Sequence, residues 1–115
     1  MGKLDEINIR LYQDTSGHAP FRAWLNSLKD LQAKSKVNIQ ITRLRLGNPA
    51  KAKSVGEGVL ELKIDFGPGY RVYYGQDGEH MVLLLLGGDK STQSTDITKA
   101  KEYWADYKSR KKEAL

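Results

Sequence analysis

The chain has no cysteine among its 115 residues. That excludes a disulfide framework and a thiolate metal site, and makes a reducing compartment the natural setting. Histidine is scarce too: His18 and His80 lie far apart in sequence, and His80 reads as an exposed strand or turn residue. A catalytic zinc site needs more imidazole or carboxylate ligands at helix or loop spacing, so no metal and no cofactor is expected. No apolar run approaches the roughly 20 residues of a membrane-crossing helix. Met1-Gly-Lys-Leu-Asp-Glu6 has no apolar signal core, so the expectation is a cytoplasmic protein with no membrane partner.

Positive charge is abundant. The formal net charge is +5, which favours a polyanionic partner such as nucleic acid. Lys108-Ser-Arg-Lys-Lys112 adds a basic run, so residues 1–115 read as one domain with a basic tail at about 108–115.

Residues 6–12 alternate as a strand. Pro20 suits the first turn of a helix, where Phe21, Trp24, Leu25 and Leu28 share a face. A second helix spans about Leu31 to Leu46 with Ala33, Val37, Ile41 and Leu44 on its stripe; Gly47 stops it and Pro49 prevents a restart. The two helices read as a hairpin covering one face of a sheet. Residues 47–58 read as a loop. Val59–Phe66 alternates cleanly, with Glu61, Lys63 and Asp65 on one side. A three-residue turn at Gly67-Pro68-Gly69 would pair Asp65 with Arg71 and Lys63 with Tyr73, keeping every face consistent. Asp77-Gly78 signals a second hairpin, pairing Tyr73 with Val82 and Arg71 with Leu84. The strand His80–Leu86 is apolar on both faces and should be central. Its Val82, Leu84 and Leu86, on the Lys63 side, need a lid, expected from a last helix over about Thr95–Ser109 with Ile97, Ala100 and Trp104 inward. Gly67, Gly69, Gly87 and Gly88 read as turn or bulge residues.

Lys63, Arg71, Lys90 and Tyr73 would then share one surface. Fixed cations without metal ligands suit a phosphate, and RNA supplies its own nucleophile in the 2′-hydroxyl. Cleavage by 2′-oxygen attack needs a proton acceptor, positive charge on the non-bridging oxygens and a proton donor for the 5′-oxygen. The arginine fork suits the phosphate. Lys63 can stabilise the same charge or, crowded by cations, act as base. Lys90 can approach from the other side, and Tyr73 can stack on a base. Lys51 and Lys53 are further candidates for RNA contact. The bland alternative is a solvated strand face with cross-strand ion pairs.

Phe21-Arg-Ala-Trp24-Leu25, Ile41–Gly47, Gly58-Val-Leu-Glu-Leu-Lys63, Phe66-Gly-Pro-Gly-Tyr-Arg-Val-Tyr-Tyr74 and Leu84–Lys90 with Gln93 and Asp96-Ile97 carry a further signal. Over residues 6–105 the sequence resembles the RelE/ParE toxin superfamily, within it the HigB-like addiction module killer protein group, also called phage-derived Gp49-like. The resemblance implies an α+β fold, βααβββ with a C-terminal helix, its sheet mostly antiparallel. It implies the toxin of a type II toxin–antitoxin pair, a ribosome-dependent mRNA endoribonuclease. The implied partners are the ribosome, mRNA and a helix-turn-helix antitoxin (HigA-like), with operator DNA bound only through the complex. Arg71 matches the family's Gly-Tyr-Arg arginine, Lys63 falls within a residue of the lysines of the preceding strand, and Lys90 matches the basic residue after the last strand. Many RelE-type enzymes carry a tyrosine or histidine shortly afterwards; Gln93-Ser-Thr-Asp-Ile97 has neither. Glu61, Asp65, Gln93 and Asp96 are left as acid/base or orienting candidates. Two rivals remain: a ParE-like gyrase poison, and a non-catalytic basic binding module.

Overall fold

The structure, a computed structural model, describes residues 6–48 and 52–114. Strand β1 (Asn8–Leu11) is followed by helices α1 (Pro20–Ser27) and α2 (Leu31–Arg45). Strands β2 (Ala52–Gly56), β3 (Val59–Ile64), β4 (Tyr70–Asp77) and β5 (Met81–Asp89) follow, then a 3-10 turn at Lys90–Thr92 and helix α3 (Gln93–Glu113). The sheet order is β1-β5-β4-β3-β2, with β1 parallel to β5 and the other neighbours antiparallel. This is an α+β fold with a five-stranded mixed sheet between two helical layers.

Local chemistry places the helices. Pro20 occupies the first turn of α1, where its missing N–H is one of the orphan donors anyway. The Asp30 carboxylate caps α2 by accepting from the N–H groups of Gln32 and Ala33. Gly47, at φ +80°, ends α2 in a Schellman motif: its N–H donates to the Leu44 carbonyl and that of Asn48 to the Arg43 carbonyl. Pro49 lies outside the described residues. As expected, Phe21, Val37 and Leu44, backed by Trp24, Leu25, Leu28 and Ile41, pack on one sheet face against Leu62, Ile64 and Val72; Tyr74 and, contrary to expectation, Val82 and Leu84 complete that core. On the other face α3 lays Ala100 and Trp104 over Val59, Tyr73, Leu83 and Leu85.

The strand pairing departs from expectation in three places. First, residues 47–58 are not all loop. Ala52–Gly56 forms an edge strand with a register irregularity between Ser54 and Gly56. It turns into β3 through Glu57 and Gly58, both at positive φ, as in a type I′ hairpin. An exposed lysine and a bulge are common features of an edge strand, and they left it without alternation to read. Second, the β3–β4 hairpin closes with a five-residue connection, not three: Ile64 pairs with Tyr70, Lys63 with Arg71 and Glu61 with Tyr73. A slip of two residues keeps every face, but it removes the expected Asp65–Arg71 pair. Phe66 leaves the strand to pack beside the helical hairpin, with the Lys36 ammonium 5.6 Å from its ring centroid.

Third, the β4–β5 connection is the three residues Gly78–His80, with Asp77 paired to Met81. The ladder then shifts between Tyr74↔Leu84 and Tyr73↔Leu86, which leaves Leu85 as an extra residue. Arg71 therefore faces Gly88, not Leu84, and Tyr73 faces Leu86, not Val82. Val82 and Leu84 belong to the helical-hairpin core, whereas Leu83, Leu85 and Leu86 lie under α3. The expected central strand and C-terminal lid both exist; Leu86 lies under the lid as expected, but Leu83 and Leu85 take the places expected for Val82 and Leu84. Among the described residues no helix is long and apolar enough to cross a membrane.

Candidate anion-binding cleft

The revised register decides the site. Across β3, β4 and β5 the residues Lys63, Arg71 and Gly88 are successive neighbours on the α3 side of the sheet. Lys90 follows two positions later, at the start of the 3-10 turn capped by the Asp89 carboxylate. Lys63, Arg71 and Lys90 line one open cleft of about 390 Å³, together with Asp65 and the β3–β4 turn. Lys63 and Lys90 are exposed; Lys63 stands 3.7 Å from Asp65. Three cations against one carboxylate leave the cleft positive.

Arg71 is 6 % exposed. Its Nη1 donates to the Gly69 carbonyl at 2.7 Å, so the turn wraps the guanidinium, and Nε lies 3.6 Å from Glu61 Oε2. Glu61 is 1 % exposed, and the Gln93 side-chain amide donates to its Oε2 at 2.8 Å. The first residue of α3 thus fixes the carboxylate that flanks the cleft arginine. Glu61 Oε1, Arg71 Nε and the Tyr73 hydroxyl have no hydrogen-bond partner among the described residues. Buried polar atoms without partners are rare and cost stability; here three cluster in one place. The Tyr73 hydroxyl sits beside Glu61 without bonding it. Burial, with that carboxylate next, raises the Tyr73 phenol well above its ordinary value.

Not every expected residue reaches the cleft. Tyr73 is fully buried in the α3 core, so in place of an exposed stacking surface its ring is structural. Asp96 is also buried. It accepts from the Thr92 hydroxyl at 2.6 Å, in the first turn of α3, where a carboxylate favours the helix N-terminus. Lys53 is exposed on the edge strand, 3.8 Å from Glu61 Oε1, outside the cleft. Lys51 lies outside the described residues. Gly87 and Gly88, expected in a turn or bulge, are inside β5. A Cβ at Gly87 would come within 2.1 Å of the Trp24 ring, and one at Gly88 within 1.9 Å of an Asp96 oxygen. Only glycine lets both layers approach the strand there. Among the described residues no group of three His, Asp or Glu side chains is placed to hold a metal ion.

Sequence reasoning missed how α3 is held down. The Tyr12 hydroxyl donates to Asp106 at 2.6 Å, and Arg110 bridges Asp106 and the Gln13 carbonyl. Tyr107 and Lys111 both donate to Asp77 at the β4–β5 hairpin. These polar anchors flank the buried Trp104, which stacks on Tyr107. Nothing in the spacing of such distant residues marks them as partners.

Against this geometry, the model of the family described as Phage derived protein Gp49-like (DUF891) matches residues 23–104. The chain belongs to the Gp49-like family. The match spans α1 to α3 and so includes Glu61, Lys63, Arg71, Lys90, Gln93 and Asp96. The Gp49-like family is associated with the toxins of toxin–antitoxin pairs. An uncharacterized protein of Haemophilus influenzae is 53 % identical over 81 residues, covering 70 % of this chain and 82 % of that protein.

Proposed function

We propose that this Gp49-like chain is the toxin of a type II toxin–antitoxin pair and cuts messenger RNA on the ribosome through the Lys63–Arg71–Lys90 cleft. The observation that carries the reading is Lys63 directly opposite Arg71, with Lys90 on the same cleft. Like charges directly opposite on neighbouring strands are destabilising, and a phosphate between them relieves the repulsion. The 2′-oxygen attacks phosphorus and the bond to the 5′-oxygen breaks, leaving a 2′,3′-cyclic phosphate and a 5′-hydroxyl. Arg71 and Lys63 hold the non-bridging oxygens as charge builds on them. Asp65, the carboxylate on the cleft wall, takes the 2′-hydroxyl proton, and the Lys90 ammonium gives one to the departing 5′-oxygen. Glu61 and Gln93 keep the arginine fork oriented from behind. A HigA-like helix-turn-helix antitoxin neutralises the protein, and operator DNA is met only through that complex.

Controlled expression in a bacterial host without the partner tests the reading. Growth arrest with fragmented transcripts, relieved by Arg71→Ala, is expected. Arrest with intact transcripts and broken DNA would instead support gyrase poisoning, and no arrest from a folded protein would support a non-catalytic binding role.

A further inference from the structure

The core accounts for only one side of α2. Opposite Ala33, Val37 and Leu44, the helix turns Leu31 and Ile39 outward, 77 and 47 % exposed, and Leu46 at its C-terminal cap is 58 % exposed. These are the large apolar side chains left exposed among the described residues. Their spacing of eight and then seven residues keeps them on one side of the helix, over a length of about 22 Å at about 1.5 Å per residue. An open groove of about 640 Å³ runs along this side, with Lys34 and Arg43 on its walls. Helix α2 has four cations and no carboxylate in its sequence LQAKSKVNIQITRLR. Asp30, the acid that directly precedes the helix in sequence, is occupied in capping its N-terminus.

We infer that the outer stripe of α2 docks an acidic amphipathic helix of a partner protein. The apolar stripe calls for matching apolar side chains at helical spacing, and the cationic flanks call for carboxylates beside them. A nucleic-acid backbone would satisfy the cations and leave the leucines and isoleucine in water. A bilayer would need a wider apolar face than one broken by Ser35, Asn38 and Thr42. The groove shares no residue with the Lys63–Arg71–Lys90 cleft, so the inference holds whatever reaction the cleft performs, and its occupant leaves the cleft uncovered.

The test is a backbone-amide NMR titration of the full chain with a synthetic helical peptide of about 16 residues, bearing leucines at helical spacing flanked by glutamates. The comparison ligands are the same peptide with lysines for glutamates, a short single-stranded RNA, and vesicles of neutral and anionic phospholipid. The inference expects shifts along residues 31–46 with the acidic peptide alone, and binding that weakens with salt. Ile39→Asp and Leu46→Asp, both at exposed positions and so compatible with folding, should each weaken it about tenfold or more. Absence of shifts on α2, stronger binding there by the lysine peptide, RNA or vesicles, or self-association through this stripe in a dilution series would overturn it.

Discussion

Replacing Glu61 by glutamine removes the buried carboxylate that lies beside the Arg71 guanidinium while keeping the side chain's shape. At 3.6 Å two unit charges attract by roughly 4–5 kcal/mol in an effective dielectric of about 20. Both side chains are nearly inaccessible to water, so solvent cannot compensate the loss, and removing one partner of such a pair costs about 3–5 kcal/mol. The lower end applies, because Nε and Oε2 stand beyond hydrogen-bond distance and Gln93 can still donate to the new amide oxygen. Glu61→Gln should therefore destabilise the fold by about 3 kcal/mol, and Arg71→Gln by a similar amount. The double variant should recover roughly 2–3 kcal/mol of their sum, since neither charge is then stranded. Urea unfolding of the four proteins at equilibrium, with the slope required to stay constant, supplies the cycle. A coupling energy below about 0.5 kcal/mol would refute the claim that this pair is one energetic unit holding the cleft arginine.

A Cβ at Gly75 would lie 2.4 Å from the Trp104 ring, so Gly75→Ala should cost about 1–3 kcal/mol by overpacking; an unchanged melting temperature would contradict the tight seating of α3. Hydrogen bonds from Lys111 and Tyr107 hold the Asp77 carboxyl below its ordinary value, and those from Tyr12 and Arg110 do the same for Asp106. Their contribution is complete well above an unfolded pKa of about 3.9. It fades as pH falls through the lower folded values, so hydrogen exchange in residues 103–113 should accelerate there ahead of the sheet core, and a uniform response would count against it. Burial first, with bonds to Asp106 and Asp77, pushes the Tyr12 and Tyr107 phenols up to about 12. These two contribute stability below about pH 10 that is lost as pH rises through about 12. Ultraviolet titration should accordingly show tyrosines ionising late, and all six titrating near pH 10 in the folded protein would contradict the anchors.

The sequence carried the helical hairpin because Phe21–Leu28 and Ala33–Leu44 repeat at helical spacing between clear punctuation at Pro20 and Gly47. It also carried the faces of β3 and β4, since Leu62 and Ile64 alternate with Glu61 and Lys63, and a slip of two residues preserves that alternation. The faces of β5 were illegible for the converse reason: Val82–Leu86 is apolar throughout, so parity has no signal, and the extra residue Leu85 shifts the ladder without a glycine or polar residue to mark it. The edge strand at Ala52–Gly56 escaped notice because lysine, serine and glycine make an edge harmless and unlike a strand. Lys63, Arg71 and Lys90 could be gathered from sequence because they sit at strand ends whose order was clear. The support behind them, Gln93 on Glu61 across 32 positions, depends on where α3 docks, which no local pattern encodes. The outward Leu31, Ile39 and Leu46 were visible as letters, but their exposure became evident only once the inner stripe of α2 was seated.

The most direct measurement of the central claim is cleavage of a defined messenger RNA by the purified protein, with and without programmed ribosomes. A transcript carrying a single 2′-deoxy substitution at the cut position, and the Arg71→Ala variant, run alongside. The account predicts cuts on the ribosome that leave a 2′,3′-cyclic phosphate, disappear at the 2′-deoxy position and vanish in the variant. Cutting that survives the 2′-deoxy substitution, or that Arg71→Ala retains, would contradict it.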